Sequence, residues 1–530
     1  MGGCTVIWQT VVADPVALDQ DPVYLNSPTR AYLADGSIVV LAGGGMVENG
    51  VLQGHGTRFA LTLDTHTPFA SVALDSVVAM EAFRTEYENQ TQSALLAMAS
   101  LPVLALASAT LLAATFGSCP TIYAEIEGDT ILQAEPFSYS ISALFEARDV
   151  DRLTARPEVS EDGRSILRLE LRNEAMETHY FNHMELLEVS HAPHDVVIPD
   201  PSGRALVLRD LRAPSAAVDG EGRNVLAEIT AHDGHAFRSS RTRLARASET
   251  DFQDFVEFEV PWPSGRDEIA LVLRYRNTLL NTVLFYDIML GESGLRALDW
   301  IGSDLHRIGA AVELARWYQD RMGMRVEVER DGVFELVDHL PDAGPIAWTE
   351  RAVTIPVPAP TRTVRTGTHE GDASARPGSD QVDPVEVLRV RLRFPVDSWF
   401  IDRIAVAEVV GIGEPRRVPV DRVVDARGLV DPEASTLLAA PDEDYLVTFP
   451  GQRMHLEFAL PEPPSQGDRT LLLATQGFYV EWLRGPWLRA DPEARPFRPE
   501  DGAILRAMRR WTEVMDDYER DFHASRIPVR

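Results

Sequence analysis

Between Ser93 and Gly117 the chain reads SALLAMASLPVLALASATLLAATFG, twenty-five residues without a charge. No other stretch constrains the fold so tightly. A helix rises about 1.5 Å per residue and about twenty apolar residues cross a hydrocarbon core, so the run is long enough to span, even with a kink at Pro102. The spacing predicts a transmembrane helix over residues 93–118. The competing reading is a central helix buried in a large domain, but such a helix seldom runs so far without one polar, solvent-facing residue.

The flanks support the first reading. TEYENQTQ before the run and EIEGD after it are water-facing in character, Pro120 blocks helix continuation, and TIYAEI reads as the first strand of the next domain. No charged segment followed by an apolar run precedes Ser93, so the segment would act as an uncleaved anchor. Arg84 flanks it on one side, while Arg148 is the first arginine on the other. That asymmetry leans the carboxy-terminal bulk to the periplasmic side of a bacterial inner membrane. The opening MGGC has the form of a lipobox end, which makes Cys4 a lipidation candidate and an exported lipoprotein the alternative if translation starts upstream of Met1. Cys119, after FGS, lies too deep for ordinary signal processing and reads as a buried or interfacial thiol.

Charge narrows the partners. A formal charge of −31, with all fifty cations arginine, disfavours nucleic acid and any polybasic dock on anionic lipid. Two cysteines supply neither a disulfide framework nor a Cys-based zinc site.

The rest is expected to be mainly β. Residues 1–92 read as a small β domain with turns at Asp35-Gly36 and Asn49-Gly50. Gly43 to Gly45, Gly54 and Gly56 fit no phosphate-loop spacing and read as turn glycines. Residues 119–324 are expected to form an antiparallel sandwich with strands at SILRLELRN, MELLEVSH, RALVLRDL, RNVLAEIT, DFVEFEVPWP and EIALVLRYRN, closing on a short amphipathic helix, LHRIGAAVELARWYQDRMG. Residues 325–490 predict a second, jelly-roll-like sandwich carrying a mobile loop over 356–384, rich in Pro, Gly, Thr and Asp. Residues 491–530 predict a terminal helix in which Ile504, Met508, Trp511, Met515, Tyr518 and Phe522 form one apolar stripe. That stripe either packs on its own domain or docks a partner.

Several of these segments resemble an uncharacterised family of bacterial membrane-associated proteins. The likeness is carried by SCPTIY after the apolar run, EPFSYSI, ARDVDRL, LRLELRNEAMETHYFNHMELLEVSH, VIPDPSGRALVLRD, YRNTLLNTVLFYD, WFIDRIAV and LLLATQGFYVEWL, and by YLADGSIVVLAGG ahead of the run. The resemblance implies a small β domain placed before a membrane segment. It brings no established activity with it.

Chemistry-bearing patterns are sparse. His179, His183, His191 and His194 are the metal-ligand candidates, but on a strand an i, i+4 pair shares a face about 13 Å apart and does not converge on one ion. No Gly-x-Ser-x-Gly elbow occurs, and no acid pair stands out among 81 carboxylates. Trp399, Phe478, Tyr479 and Trp482 are the candidates for stacking on sugar rings. The pattern as a whole predicts no cofactor, no catalytic residue and a membrane-anchored binding or scaffold protein. Its expected partners are other membrane or envelope proteins, as in an accessory subunit of a respiratory or photosynthetic assembly. The alternative is a carbohydrate-binding or carbohydrate-active envelope protein.

Overall fold

The computed structural model describes residues 9–15, 22–87, 120–297, 308–356, 385–481 and 495–529, apart from a few positions inside those ranges. The chain is mainly β. Strands between Gln9–Pro15 and Val77–Tyr87 build one eight-stranded sheet. Four further sheets, of six, five, five and five strands, hold the strands from Thr121–Ile126 to Asp468–Glu481.

Alternation explains the sheets. In Gln253–Pro263, Val256, Phe258 and Val260 point inward, while Glu257 lies directly opposite Arg391 of Val385–Pro395 and Glu259 opposite Arg389. Arg391 reaches Glu257 at 2.9 Å and Arg389 reaches Glu329 on the next strand at 2.7 Å, so one face is apolar and the other a ladder of opposite charges. The strand Ser165–Arg172 repeats the scheme, with Leu167, Leu169 and Leu171 inward and Arg168 paired to Glu457.

The pairing crosses the division expected between residues 324 and 325. Ser165–Arg172 pairs with Arg453–Leu460, and Glu177–His191 with Asp468–Glu481. Those strands form two sheets that enclose one core, which includes Leu169, Phe181, Met184, Phe458 and Leu473. The strands from Val196–Pro199 to Trp399–Ile412 form the other two sheets, around Phe258, Leu273, Tyr275, Val390 and Trp399. One sandwich is thus nested in sequence inside the other. Their inner sheets meet where Leu187, Val189 and Leu472 pack on Val197, Ala205 and Val207. Local alternation carries no information on which distant strands pair, so a sequential division was the simplest reading and the sheets overrule it.

Two smaller expectations are corrected. RNVLAEIT holds a 3-10 turn, Leu226–Ile229, rather than a strand. Gly45 and Gly56 sit inside strands, where an added Cβ would meet Gln53 O at 2.5 Å and Val40 O at 2.1 Å, so close backbone approach explains them. Asn49-Gly50 is a turn as expected, with φ of 51° and 73°. Among the described residues no helix is long and apolar enough to cross a membrane. The predicted span at 93–118, all of the loop expected over 356–384 except Pro356, the Asp35-Gly36 turn, Cys4, Cys119 and Trp482 lie outside them; Pro356 ends the strand Thr349–Pro356.

The terminal helix, Asp501–Ala524, is present, but its stripe is not a docking face. Ile504, Met508, Trp511, Met515, Tyr518 and Phe522 are each between 0% and 5% exposed and join a core with Leu280, Leu284 and Met289. The chain's own π-helical stretch, Val283–Leu290, covers the face that a partner would need.

Candidate functional site

Where the helical cluster meets the sheets, a cavity of about 470 Å³ opens. Several parts of the chain form its wall, the loop around Asp342 among them. Asn277 ends the strand Glu268–Asn277, and Asn281, Phe285 and Tyr286 follow on the helical turn and the π-helical stretch. Leu314 and Tyr318 come from the helix Ile308–Met322, which the sequence predicted. Tyr139 lies in the segment after Asp129–Ala134, and Tyr479 is near the end of Asp468–Glu481. A π-helical stretch is a frequent mark of functional sites, because its extra residue re-aims side chains.

One end of the cavity is polar and built. Asn277 Oδ1 accepts the Ala343 N–H at 2.8 Å, while its Nδ2 donates to Asp342 Oδ1 at 3.2 Å. The Tyr318 hydroxyl donates to the same carboxylate. Burial raises the Asp342 carboxyl to about 6, against the pull of these two donors. The Tyr318 hydroxyl is itself driven well above its usual range, by burial first and then by the Asp342 charge.

The loop that carries Asp342 is fixed from behind. Glu135 Oε2 accepts the backbone N–H groups of Ile346 and Ala347, both at 2.8 Å, and burial pushes its carboxyl up to about 7. That carboxyl lies where a side chain on Gly344 would go: a Cβ there would stand 1.9 Å from Glu135 Cδ. Nearby, Arg351 joins the two sandwiches, reaching Asp149 Oδ1 at 2.7 Å and Asp151 Oδ1 at 3.2 Å. At the opposite wall the Tyr286 and Tyr479 hydroxyls are 3.2 Å apart, and Tyr479 also donates to Ser138 O at 3.2 Å.

The residues singled out from sequence fall differently. His179 and His183 do not share a face, because the register of Glu177–His191 shifts between Phe181 and His183. Before that bulge the odd residue Phe181 faces the core, and after it the even residues Met184 and Leu186 do. His179 is fully buried with Nε2 3.2 Å from Glu177 Oε2, and burial lowers its pKa to about 3. His183 Nδ1 pairs with Leu438 O at 2.9 Å and His191 Nε2 with Thr470 Oγ1 at 2.9 Å. Among the described residues no group of three or more His, Cys, Asp or Glu side chains is placed to hold a metal ion.

Of the stacking candidates, Trp399 is wholly interior. Phe478 lies flat on Tyr180, with ring centroids 4.6 Å apart, and has no free face there. Only Tyr479 reaches the cavity among the described candidates.

Asp342, Asn277, Tyr318 and Tyr286 were missed. A signal existed for Asn277 and Tyr286 alone: YRNTLLNTVLFYD, like EPFSYSI and LLLATQGFYVEWL, is a segment that carries the resemblance and supplies cavity wall, whereas Asp342 and Tyr318 lie in none of these segments.

No family model matches the chain, and no curated protein does. Solved structures align only weakly, two enzymes among them. One is a cycloalternan-forming enzyme from Listeria monocytogenes in complex with a pentasaccharide substrate, 8% identical, covering 75% of this chain and 30% of that one, with a TM-score of 0.14. The other is a GH31 alpha-xylosidase from Xanthomonas citri, 8% identical, covering 84% and 32%, with a TM-score of 0.15. The chain spans about a third of the length of these enzymes. Similarity at that level carries no argument about fold or activity.

Proposed function

We propose that this is a binding protein, held at a membrane by residues 93–117, whose β-rich part carries a small organic molecule in the cavity beside Asp342. The observation that supports it is the cavity: about 470 Å³, within the range of small-molecule sites, with aromatic walls and a polar end positioned by Asn277 and Tyr318. The scaffold reading loses its docking helix, whose stripe is interior. The glycan reading retains Tyr479 as its one described stacking residue, since Trp399 and Phe478 belong to the interior.

The test is thermal melting of the full chain in detergent against phenethylamine, 2-phenylethanol and phenylacetate. A molecule that binds only the folded state raises Tm as its concentration rises. Ala315 is exposed at the cavity wall, so Ala315→Trp fills the opening without disturbing the core. A Tm rise in the wild type that vanishes in Ala315→Trp is expected. Equal rises in both proteins, or none in the wild type, would overturn the reading.

A further inference from the structure

We infer that the cavity selects an organic ammonium ion, an amine protonated at neutral pH with an apolar body; this rests on the binding reading above. The first ground is the bonding of Asp342. A carboxylate offers about four lone-pair sites, and the donors that reach this one are Asn277 Nδ2 and the Tyr318 hydroxyl, which leaves acceptor capacity at the cavity. Among the described residues no arginine or histidine forms an ion pair with Asp342, although arginines pair with most of the other interior carboxylates, as Arg351 does with Asp149 and Asp151. An enclosed carboxylate without a cation is costly, and a bound ammonium supplies that cation.

The walls are the second ground. Tyr139, Phe285, Tyr286, Tyr318 and Tyr479 surround the same space, and aromatic rings attract cations through their quadrupoles, more strongly where water is excluded. A third ground is the charge of −31 on the whole chain, which concentrates cations near its surface and repels anions. A hard divalent metal does not fit, because calcium takes six to eight oxygen ligands and the site presents a single carboxylate.

Phenethylamine, 2-phenylethanol and phenylacetate share one apolar body and differ in charge, so isothermal titration of each into the full chain in detergent, against a micelle blank, isolates the charge preference. The amine is expected to bind at least tenfold more tightly than the alcohol, and phenylacetate weakest. Asp342→Asn, nearly identical in shape, is expected to erase that tenfold preference while the alcohol's affinity stays within twofold. Equal affinities for amine and alcohol in the wild type, a comparison that needs no variant, would overturn the inference; so would a preference that survives Asp342→Asn. If amine and alcohol bind equally and both are lost in Ala315→Trp, the ammonium inference falls and the cavity reading stands. If none of the three binds, both fall.

Discussion

The indole Nε1 of Trp511 donates to Oδ2 of Asp397 at 2.7 Å, joining the terminal helix to the turn that precedes Trp399–Ile412. Arg238 holds the other carboxylate oxygen at 2.5 Å and reaches Glu519 on the helix at 2.7 Å. The helix is therefore fastened by a charged cluster around the buried Asp397 as well as by its apolar stripe.

Trp511→Phe keeps most of the apolar contact and removes the N–H. A hydrogen bond to a charged group contributes about 1.5–3 kcal/mol, so a stability loss of about 2–3 kcal/mol is expected by denaturant unfolding. Trp511→Ala should cost about 3–5 kcal/mol, since it also opens a cavity. A loss below about 0.5 kcal/mol for Trp511→Phe would show that the Asp397 bond does not hold the helix.

Arg351 is the cation between the sandwiches, and burial together with the Asp149 charge raises the Asp151 carboxyl. Arg351→Met leaves two enclosed carboxyls without a counter-charge, an arrangement that costs about 3–5 kcal/mol. The sign with pH is set by Asp151. Without the arginine its folded-state pKa rises further above the unfolded value, so the folded state holds a proton that the unfolded state releases, and stability falls as pH increases. Arg351→Met is therefore expected to be much less damaging at pH 5 than at pH 8. Equal destabilisation at both values would contradict the assignment.

Much of the fold was legible because it rests on local alternation. Leu167, Leu169 and Leu171, or Val256, Phe258 and Val260, announce their inward faces without any knowledge of partners. The terminal stripe from Ile504 to Phe522 was equally plain, yet a stripe says that a face is covered and not what covers it. The nesting of one sandwich within the other was invisible, because the pairing of Glu177–His191 with Asp468–Glu481 joins segments nearly three hundred residues apart. The site was hidden for a similar reason. Asp342, Tyr318 and Asn277 are ordinary residues in their own segments, and only the packing of a helix, a loop and a strand end brings them together.

Glu135 gives a pH prediction of its own. Its carboxyl moves from 4.5 to about 7 because burial disfavours the charge, despite two backbone donors on Oε2. The folded state then binds the proton more tightly than the unfolded state, so stability falls as pH climbs from about 4.5 to 7. Glu135→Gln keeps the acceptor and lacks the charge. It should be nearly neutral at pH 5 and stabilising at pH 8, by up to about 3 kcal/mol at 1.36 kcal/mol per unit. Melting curves of the two proteins at both pH values check this, and a Gln variant that is no more stable at pH 8 would refute it.

Gly344 tests whether this carboxyl also positions the cavity wall. A methyl group at residue 344 would lie 1.9 Å from Glu135 Cδ and 2.1 Å from its Oε2, so one of the two must move. Glu135 is interior and tied to Ile346 and Ala347, which leaves it little room to swing away. The loop is therefore the part that yields, and it carries Asp342 two residues before Gly344. Overpacking of this kind costs about 1–3 kcal/mol. Gly344→Ala is accordingly expected to lower stability by that amount and to weaken phenethylamine binding at least tenfold. If binding is unchanged in Gly344→Ala, the contact between Glu135 and the loop does not set the position of Asp342.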